Sequence, residues 1–75
     1  MTGLRELRTE RLMTLRDMER ETGVSQVTIL HIEQGRRRPH IGTIKKLSTF
    51  LGVEPRSVTE FSAAMDDIIV ADRRS

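Results

Sequence analysis

Gly23 divides two short segments that each have helical spacing, and this glycine most restricts how the chain can fold. Leu15 and Met18 lie on one face of the first segment, and Ile29 and Ile32 lie on one face of the second. Glycine adopts the left-handed conformation that ends a helix and reverses the chain without strain. The centre of the chain is therefore predicted to form two short helices joined by a tight turn.

Capping residues predict where these two helices begin and end. Thr14 is the expected N-cap of the first, and Asp17 three residues later makes the pattern close to a capping box, which stabilises a helix by about 1 kcal/mol. Ser25 caps the second helix, Gly35 ends it, and Pro39 prevents it from continuing. This arrangement is a helix-turn-helix.

Helical spacing continues on both sides of this motif. A first helix carries the apolar pair Leu4 and Leu7, and Pro55 suits the first turn of a fifth helix. A fourth helix, stopped by Gly52, carries the apolar side chains of Ile41, Ile44, Leu47, Phe50 and Leu51. No strand pattern is found. The predicted fold is all-α, a compact bundle of five short helices.

The chain has 75 residues, too few for two separate cores. We expect one helix-turn-helix domain over residues 1–62 and a C-terminal extension over residues 63–75 with a frayed end at 72–75. An apolar stripe runs into this extension, made of Phe61, Met65, Ile68 and Ile69. Two interpretations are open: the stripe forms a homodimer interface, or the last helix folds back onto its own core.

Composition excludes several classes of protein. Cysteine is absent, which excludes disulfides and thiolate metal sites and favours a reducing, cytoplasmic location. No apolar run approaches the ~20 residues that cross a bilayer, so no membrane association is predicted. With only two histidines left as metal ligands, we predict no metal or other cofactor.

Basic residues cluster directly after the predicted helix-turn-helix, although the net charge is only +2. The cluster consists of Arg36, Arg37, Arg38, Lys45 and Lys46. A solvated basic loop is the ordinary interpretation of such a run. Beside a helix-turn-helix, the same run is also suited to binding phosphates.

Catalysis finds no support in the sequence. His31 and His40 are separated by a predicted helix end, and no serine or acid has the spacing of a catalytic relay. The adjacent acids Asp66 and Asp67 point ~100° apart on a helix. We therefore predict that the chain is not an enzyme.

Caps, turns and apolar spacing together resemble the Cro/C1-type helix-turn-helix family, the phage-repressor-like domains also called the Xre family. The resemblance covers residues 4–61. The residues that carry it are Leu7, Arg8, Met13, Thr14, Met18, Gly23, Val24, Ser25, Ile29, Ile32, Glu33, Gly35, Pro39, Thr43, Ile44, Leu47, Leu51, Gly52 and Val53. Agreement of this many positions in order makes the resemblance specific.

The resemblance implies that the third helix lies in the DNA major groove. The residues it assigns to base edges are Gln26, Val27, Thr28 and Leu30. Those it assigns to phosphates are Thr14, Leu15, Ser25, His31, Arg36, Arg37 and Arg38. Double-stranded DNA is therefore the expected partner.

Other positions have structural roles in the family or depart from its pattern. Arg8 and Glu33 match an internal ion pair. Leu12 replaces the usual glycine after the first helix, which implies a strained or altered turn. Glu19 replaces the preferred alanine, so we expect either a wider packing of the two helices or a carboxylate turned toward a cation.

The resemblance implies a transcriptional regulator, most often a repressor that binds a palindromic operator as a homodimer. An alternative is a protein-interaction module on the same fold. Such a module would be an antitoxin that neutralises a toxin and represses its own operon, or a protein that contacts RNA polymerase. Specific DNA binding by the isolated protein discriminates between the two.

Overall fold

A computed structural model of the chain describes residues 1–74, with the side chains of residues 1–70. Over this part of the chain the helices are α1 (Leu4–Glu10), α2 (Leu15–Thr22), α3 (Gln26–Glu33), α4 (Ile41–Leu51) and α5 (Thr59–Arg74), with a short 3₁₀ helix at Pro55–Ser57. The predicted all-α fold with five helices is confirmed.

Helix ends follow the predicted caps. Gly23 is left-handed, with φ 78°, and its N–H donates to the Glu19 carbonyl at the end of α2. The Ser25 hydroxyl accepts from the Thr28 N–H at 3.1 Å and caps α3. Gly52, with φ 68°, ends α4. These caps explain why helices of only eight residues have defined ends.

The core draws apolar side chains from all five helices. The largest fully buried side chains are Phe61, Leu4, Met18, Ile29, Ile32, Leu47 and Val58. Val24, in the turn between α2 and α3, is also buried. Because the core takes residues from both helices of the central motif, it fixes α3 relative to the rest of the domain.

The predicted apolar stripe of α4 is only partly correct. Ile44, Leu47 and Leu51 are buried, whereas Ile41 and Phe50 are exposed. At ~100° per residue, Ile41 and Phe50 each lie about 60° beyond the face that the other three define, on opposite sides of it. Ile41 is also the first residue of α4.

The fifth helix begins later than predicted. Pro55 opens the separate 3₁₀ helix, and Val58 then adopts an extended conformation with φ −99° and ψ 123°. The Thr2 N–H donates to the Ser57 carbonyl at 3.0 Å, and the Thr59 N–H donates to the Thr2 carbonyl at 3.0 Å. Pairing of Val58 with Thr2 as an isolated parallel β-bridge is incompatible with helical geometry at this position, so α5 starts at Thr59.

A further contact joins the N-terminus to α5. The N–H of Leu4 donates to the Glu60 carboxylate at 2.9 Å, across 56 residues of chain. Together with the bridge at Thr2, this contact forms what we call the N-terminal clasp, residues 2–4 against residues 57–60. The clasp supplies partners for backbone groups at the start of α1, which has no side-chain N-cap.

Helix α5 runs without a break across the domain boundary predicted between residues 62 and 63. Ala64 is buried, and Met65 and Ile68 pack against the core. Ile69 and Val70 are exposed. The first part of the expected extension thus completes the core. The frayed end predicted at 72–75 lies outside the residues whose side chains are described.

Candidate nucleic-acid interface

The turn between α2 and α3 is braced by Thr22. Its hydroxyl donates to the Met18 carbonyl at 2.6 Å and accepts from the Val24 N–H at 3.2 Å. The side chain of Val24 is buried, so both the hydrogen bonds of Thr22 and the packing of Val24 stabilise the turn. The angle between α2 and α3 is therefore fixed by the fold.

Helix α3 has one buried and one accessible face. Ile29 and Ile32 are fully buried, whereas Val27 is 60% exposed. The partly buried side chains on the rest of the helix are Gln26, Thr28, Leu30 and His31. An amide, a hydroxyl and apolar groups on one accessible helix are the chemistry that reads base edges in the major groove.

Glu19 of α2 holds the first residue of α3. Its carboxylate accepts the Gln26 backbone N–H at 3.1 Å and the Gln26 side-chain Nε2–H at 3.2 Å. The sequence-based expectation of a carboxylate turned toward a cation was wrong, because the carboxylate binds the Gln26 amide groups instead. Gln26 is thereby held at its main chain and its side chain by one residue.

Two hydroxyl groups and one guanidinium group form a second hydrogen-bond network at the start of α3. The Ser25 hydroxyl donates to Thr28 Oγ1 at 2.8 Å, and Arg37 Nη1 donates to the same oxygen at 3.4 Å. With both lone pairs of Thr28 Oγ1 engaged, its own proton is left to donate. Thr28 therefore offers a hydrogen-bond donor, and the Ser25 hydroxyl is already committed to this network.

The three arginines that follow α3 make different contacts. Arg37 turns back toward α3 through Thr28, whereas Arg38 pairs with Asp67 of α5. The side chain of Arg36 is exposed, and its backbone N–H donates to the His31 carbonyl at 2.8 Å. The three arginines do not form one uniform cationic patch, because the charge of Arg38 is compensated.

The start of α2 is already occupied by a carboxylate. The Thr14 N–H donates to Asp17 Oδ2 at 2.9 Å, and the Asp17 N–H donates to Thr14 Oγ1 at 3.0 Å. The bond from the Thr14 N–H lowers the pKa of the Asp17 carboxyl, as do the Thr14 side chain and the nearby Arg20. In this conformation Thr14 does not offer its amide to a phosphate. Leu15, whose side chain packs against the core, contributes only its main chain there.

An ion pair connects α1 to the end of α3. Arg8 Nε donates to Glu33 Oε2 at 2.7 Å, Arg8 Nη2 donates to Glu33 Oε1 at 3.0 Å, and Arg8 Nη1 donates to the Met13 carbonyl at 2.9 Å. The hydrogen bonds to Glu33 raise the pKa of the Arg8 guanidinium, and the negative charge of Glu33 adds to this effect against the opposing effect of burial. The pair fixes the end of α3 opposite the Glu19 contact.

The predicted dimer residues fall into two groups. Phe61 is fully buried in the core and has no surface to offer, so its assignment to an interface was wrong. Met65 and Ile68 are half-buried against the same core, and Ile69 is exposed.

Within the described residues no group of three or more potential metal-binding acids or histidines is present. In the same part of the chain, no helix has both the length and the apolar character to span a membrane.

A family model described as helix-turn-helix matches residues 4–58, which span α1 through the 3₁₀ helix. The chain belongs to the helix-turn-helix family. This is a family of DNA-binding regulators, not of enzymes.

Relatives of this helix-turn-helix chain include uncharacterized HTH-type transcriptional regulators of Mycobacterium bovis and of Mycobacterium tuberculosis. Each is 35% identical over 64 residues, which is 85% of this chain. The match covers 25% of either relative, so the chain spans about a quarter of their length. No solved structure matches the chain significantly.

Two acidic residues of this helix-turn-helix domain escaped the sequence analysis as parts of the interface. The sequence marked Glu19 only as a departure from alanine, and Asp67 only as one of two adjacent acids that point apart on a helix. Glu19 contacts Gln26 of α3, 7 residues further on, and Asp67 of α5 contacts Arg38 in the loop between α3 and α4. The spacing of Glu19 and Gln26, seven residues across a left-handed glycine, was the available indication for the first pair.

Proposed function

We propose that this helix-turn-helix domain binds double-stranded DNA sequence-specifically through α3 and acts in a transcriptional repressor, as a homodimer on a palindromic operator. The observation that carries the proposal is the pair of oriented polar groups at the start of α3. Gln26 and Thr28 are held by Glu19 and Arg37, respectively, and remain partly exposed. Side chains held in this way favour the reading of bases over solvation alone.

Base reading is assigned to the exposed groups of α3. The Gln26 amide pairs with the N6 and N7 edge of adenine, and the Thr28 hydroxyl donates to a base acceptor. Val27, exposed and apolar, suits the methyl group of thymine. Leu30 lies on the next turn and provides an apolar contact.

Phosphate binding is assigned to groups around this helix. Arg36 and Arg37 supply charge beside the end of α3, and His31 and the main chain of Leu15 supply further donors. Arg38 contributes less, because Asp67 compensates its charge. Such contacts give affinity for any duplex and make binding depend on salt.

Dimerisation is assigned to the distal part of α5. Ile69 and Val70 are exposed, and Ile41 at the start of α4 is exposed as well. Two copies joined through these apolar groups would place two α3 helices in successive major grooves, about 34 Å apart. Occupation of such an operator blocks access to a promoter.

The test is selection of bound duplexes from a random pool at about 150 mM salt, where the screening length is ~8 Å and loose phosphate attraction is weak. We expect an enriched inverted repeat. Enrichment of half-sites alone would contradict the dimer, and no enrichment would contradict sequence-specific binding and favour a protein partner.

A variant pair sharpens this test. Gln26→Ala is expected to relax specificity at one base pair by ~1–3 kcal/mol. Gln34→Ala removes the same amide from the opposite end of α3, where the side chain is exposed, and leaves the selected sequence unchanged. An equal loss on every duplex for Gln26→Ala would contradict the assignment of Gln26.

A further inference from the structure

The contact between Glu19 and Gln26 joins the two helices of the motif at the residue proposed to read DNA. One carboxylate oxygen accepts the backbone N–H of Gln26 at 3.1 Å, and the other accepts its side-chain Nε2–H at 3.2 Å. Both residues are partly buried, so the contact is not fully screened by solvent. A two-point contact of this kind restricts rotation of the Gln26 side chain.

The contact also decides which way the amide of Gln26 points. A glutamine amide has a carbonyl oxygen and two N–H groups, and an unrestrained amide presents either end outward. A carboxylate accepts hydrogen bonds but cannot donate them, so it holds the nitrogen and turns away the oxygen. The carbonyl oxygen and one N–H of Gln26 then remain available, which is the acceptor and donor pair that matches adenine.

We infer that Glu19 is a positioning residue for DNA recognition, which orients the Gln26 amide so that α3 selects adenine at one position of the site. This inference rests on the proposed DNA-binding function. It identifies Glu19 as a residue that makes this DNA binding selective for one base. Glu19 itself makes no base contact in this scheme.

Capping of α3 alone does not account for the arrangement. Ser25 already caps the helix, since its hydroxyl accepts from the Thr28 N–H. The positive end of the α3 dipole attracts the Glu19 carboxylate, and the bond to the Gln26 main chain uses one of its oxygens. The second carboxylate oxygen of Glu19 accepts from the Gln26 side chain, which has no part in the cap.

Charge provides a way to recognise this role. A carboxylate close to the DNA repels phosphates, so Glu19 lowers affinity for every duplex while it raises selectivity at one base pair. Removal of Glu19 therefore changes the two properties in opposite directions. Loss of a merely structural residue lowers binding to all duplexes together.

The experiment compares Glu19→Ala with Glu21→Ala in the full chain. Both variants remove one carboxylate from α2, but Glu21 is exposed and contacts Arg20 at 3.4 Å rather than α3. Dissociation constants are measured on the selected duplex, on duplexes changed at one base pair, and on an unrelated duplex. For Glu19→Ala we expect discrimination at the adenine position to fall by roughly fivefold or more, with unchanged or tighter binding to the unrelated duplex. Glu21→Ala is expected to keep the discrimination.

Two further variants separate position from charge. Glu19→Asp keeps the charge but withdraws the carboxylate by one methylene, so discrimination is expected to fall without tighter general binding. In the Gln26→Ala background, Glu19→Ala is expected to cause no additional loss of discrimination, because the two residues act as one unit. Additional loss there would overturn the inference, since Glu19 would then read a base itself.

Nuclear magnetic resonance of the free protein provides a readout that needs no DNA. The side-chain NH₂ protons of Gln26 are expected to shift and to exchange faster with solvent in Glu19→Ala. Unchanged protons, unchanged discrimination, or parallel weakening on all duplexes would each overturn the positioning role. A wild-type chain without any preferred duplex would instead overturn the proposed function, and the inference with it.

Discussion

Arg8 and Glu33 lie 25 residues apart in the chain, and their side chains meet through two parallel hydrogen bonds of 2.7 and 3.0 Å. The Glu33 side chain is 2% exposed and that of Arg8 is 12% exposed. Because the Glu33 carboxylate is removed from water, its negative charge is stabilised by the Arg8 guanidinium instead. The pair therefore ties the end of α3 to α1 more firmly than the surface ion pairs tie their helices.

Arg8→Ala is expected to destabilise the domain by about 3–5 kcal/mol, because it leaves the Glu33 carboxylate buried without its partner. The free energy of unfolding in urea, followed by circular dichroism, measures this loss. Arg20→Ala is the control, because it breaks exposed contacts to Asp17 and Glu21 and is expected to cost less than about 1 kcal/mol. Similar losses for the two variants would show that burial of Glu33 does not govern the effect.

Asp17 is expected to make stability depend on pH in the acid range. Its pKa is lowered in the folded protein, chiefly by the Thr14 N–H, so folding favours the ionised carboxyl. The stabilisation is complete above the pKa of the unfolded chain, near 4, and is lost as the pH falls through the folded pKa. Unfolding free energies of the wild type and Asp17→Asn are compared from pH 7 down to pH 2. The difference between them is expected to shrink below about pH 4, and a difference that grows there would contradict the capping role.

Leu12→Gly is expected to stabilise the fold. Leu12 has φ 56° and is 91% exposed, so it bears left-handed strain without burying its side chain. Relief of about 1–2 kcal/mol of strain exceeds the backbone entropy that glycine adds to the unfolded chain, about 0.5–1 kcal/mol. Thermal unfolding is expected to show a midpoint raised by a few degrees, at about 4–8 °C per kcal/mol. Leu12→Ala removes the exposed side chain but keeps the strain, and an equal gain for this control would exclude strain as the cause.

Arg37 and Arg38 are expected to contribute unequally to the salt dependence of DNA binding. Arg37→Ala is expected to reduce the slope of log K against log salt by about 1, the value of one phosphate contact. Arg38→Ala is expected to change the slope by much less, because Asp67 already compensates its charge. Titrations of one duplex at several salt concentrations measure both slopes. Equal changes would mean that the Arg38 pair opens on DNA.

The fold could be predicted from the sequence where local chemistry decides it. Thr14, Ser25 and Gly23 set helix ends through their own hydrogen bonds and backbone freedom, and the structure follows them. The start of α5 could not be predicted in this way. Pro55 is locally suited to a helix, but the distant Thr2 pairs with Val58 and holds it extended.

The same distinction holds for the candidate interface. Helical spacing indicated which face of α3 is accessible, because Ile29 and Ile32 had to be buried. The family resemblance implied the contact of Arg8 with Glu33, but helical spacing alone did not predict two other contacts between elements, since these depend on how the elements are set against each other. Glu19 meeting Gln26 and Asp67 meeting Arg38 are the two cases here.

The N-terminal clasp also bears on how the domain folds. The hydrogen bond from Leu4 to Glu60 closes a loop of 56 residues, whereas the caps of α2 and α3 each close within three. Contacts distant in sequence require most of the chain to be ordered before they form. The helix-turn-helix is therefore expected to assemble early and the clasp last. Amide protons of Thr2 and Leu4 would then exchange through local opening of the clasp, while those inside α3, which buries Ile29 and Ile32 in the core, would exchange only when the whole domain opens.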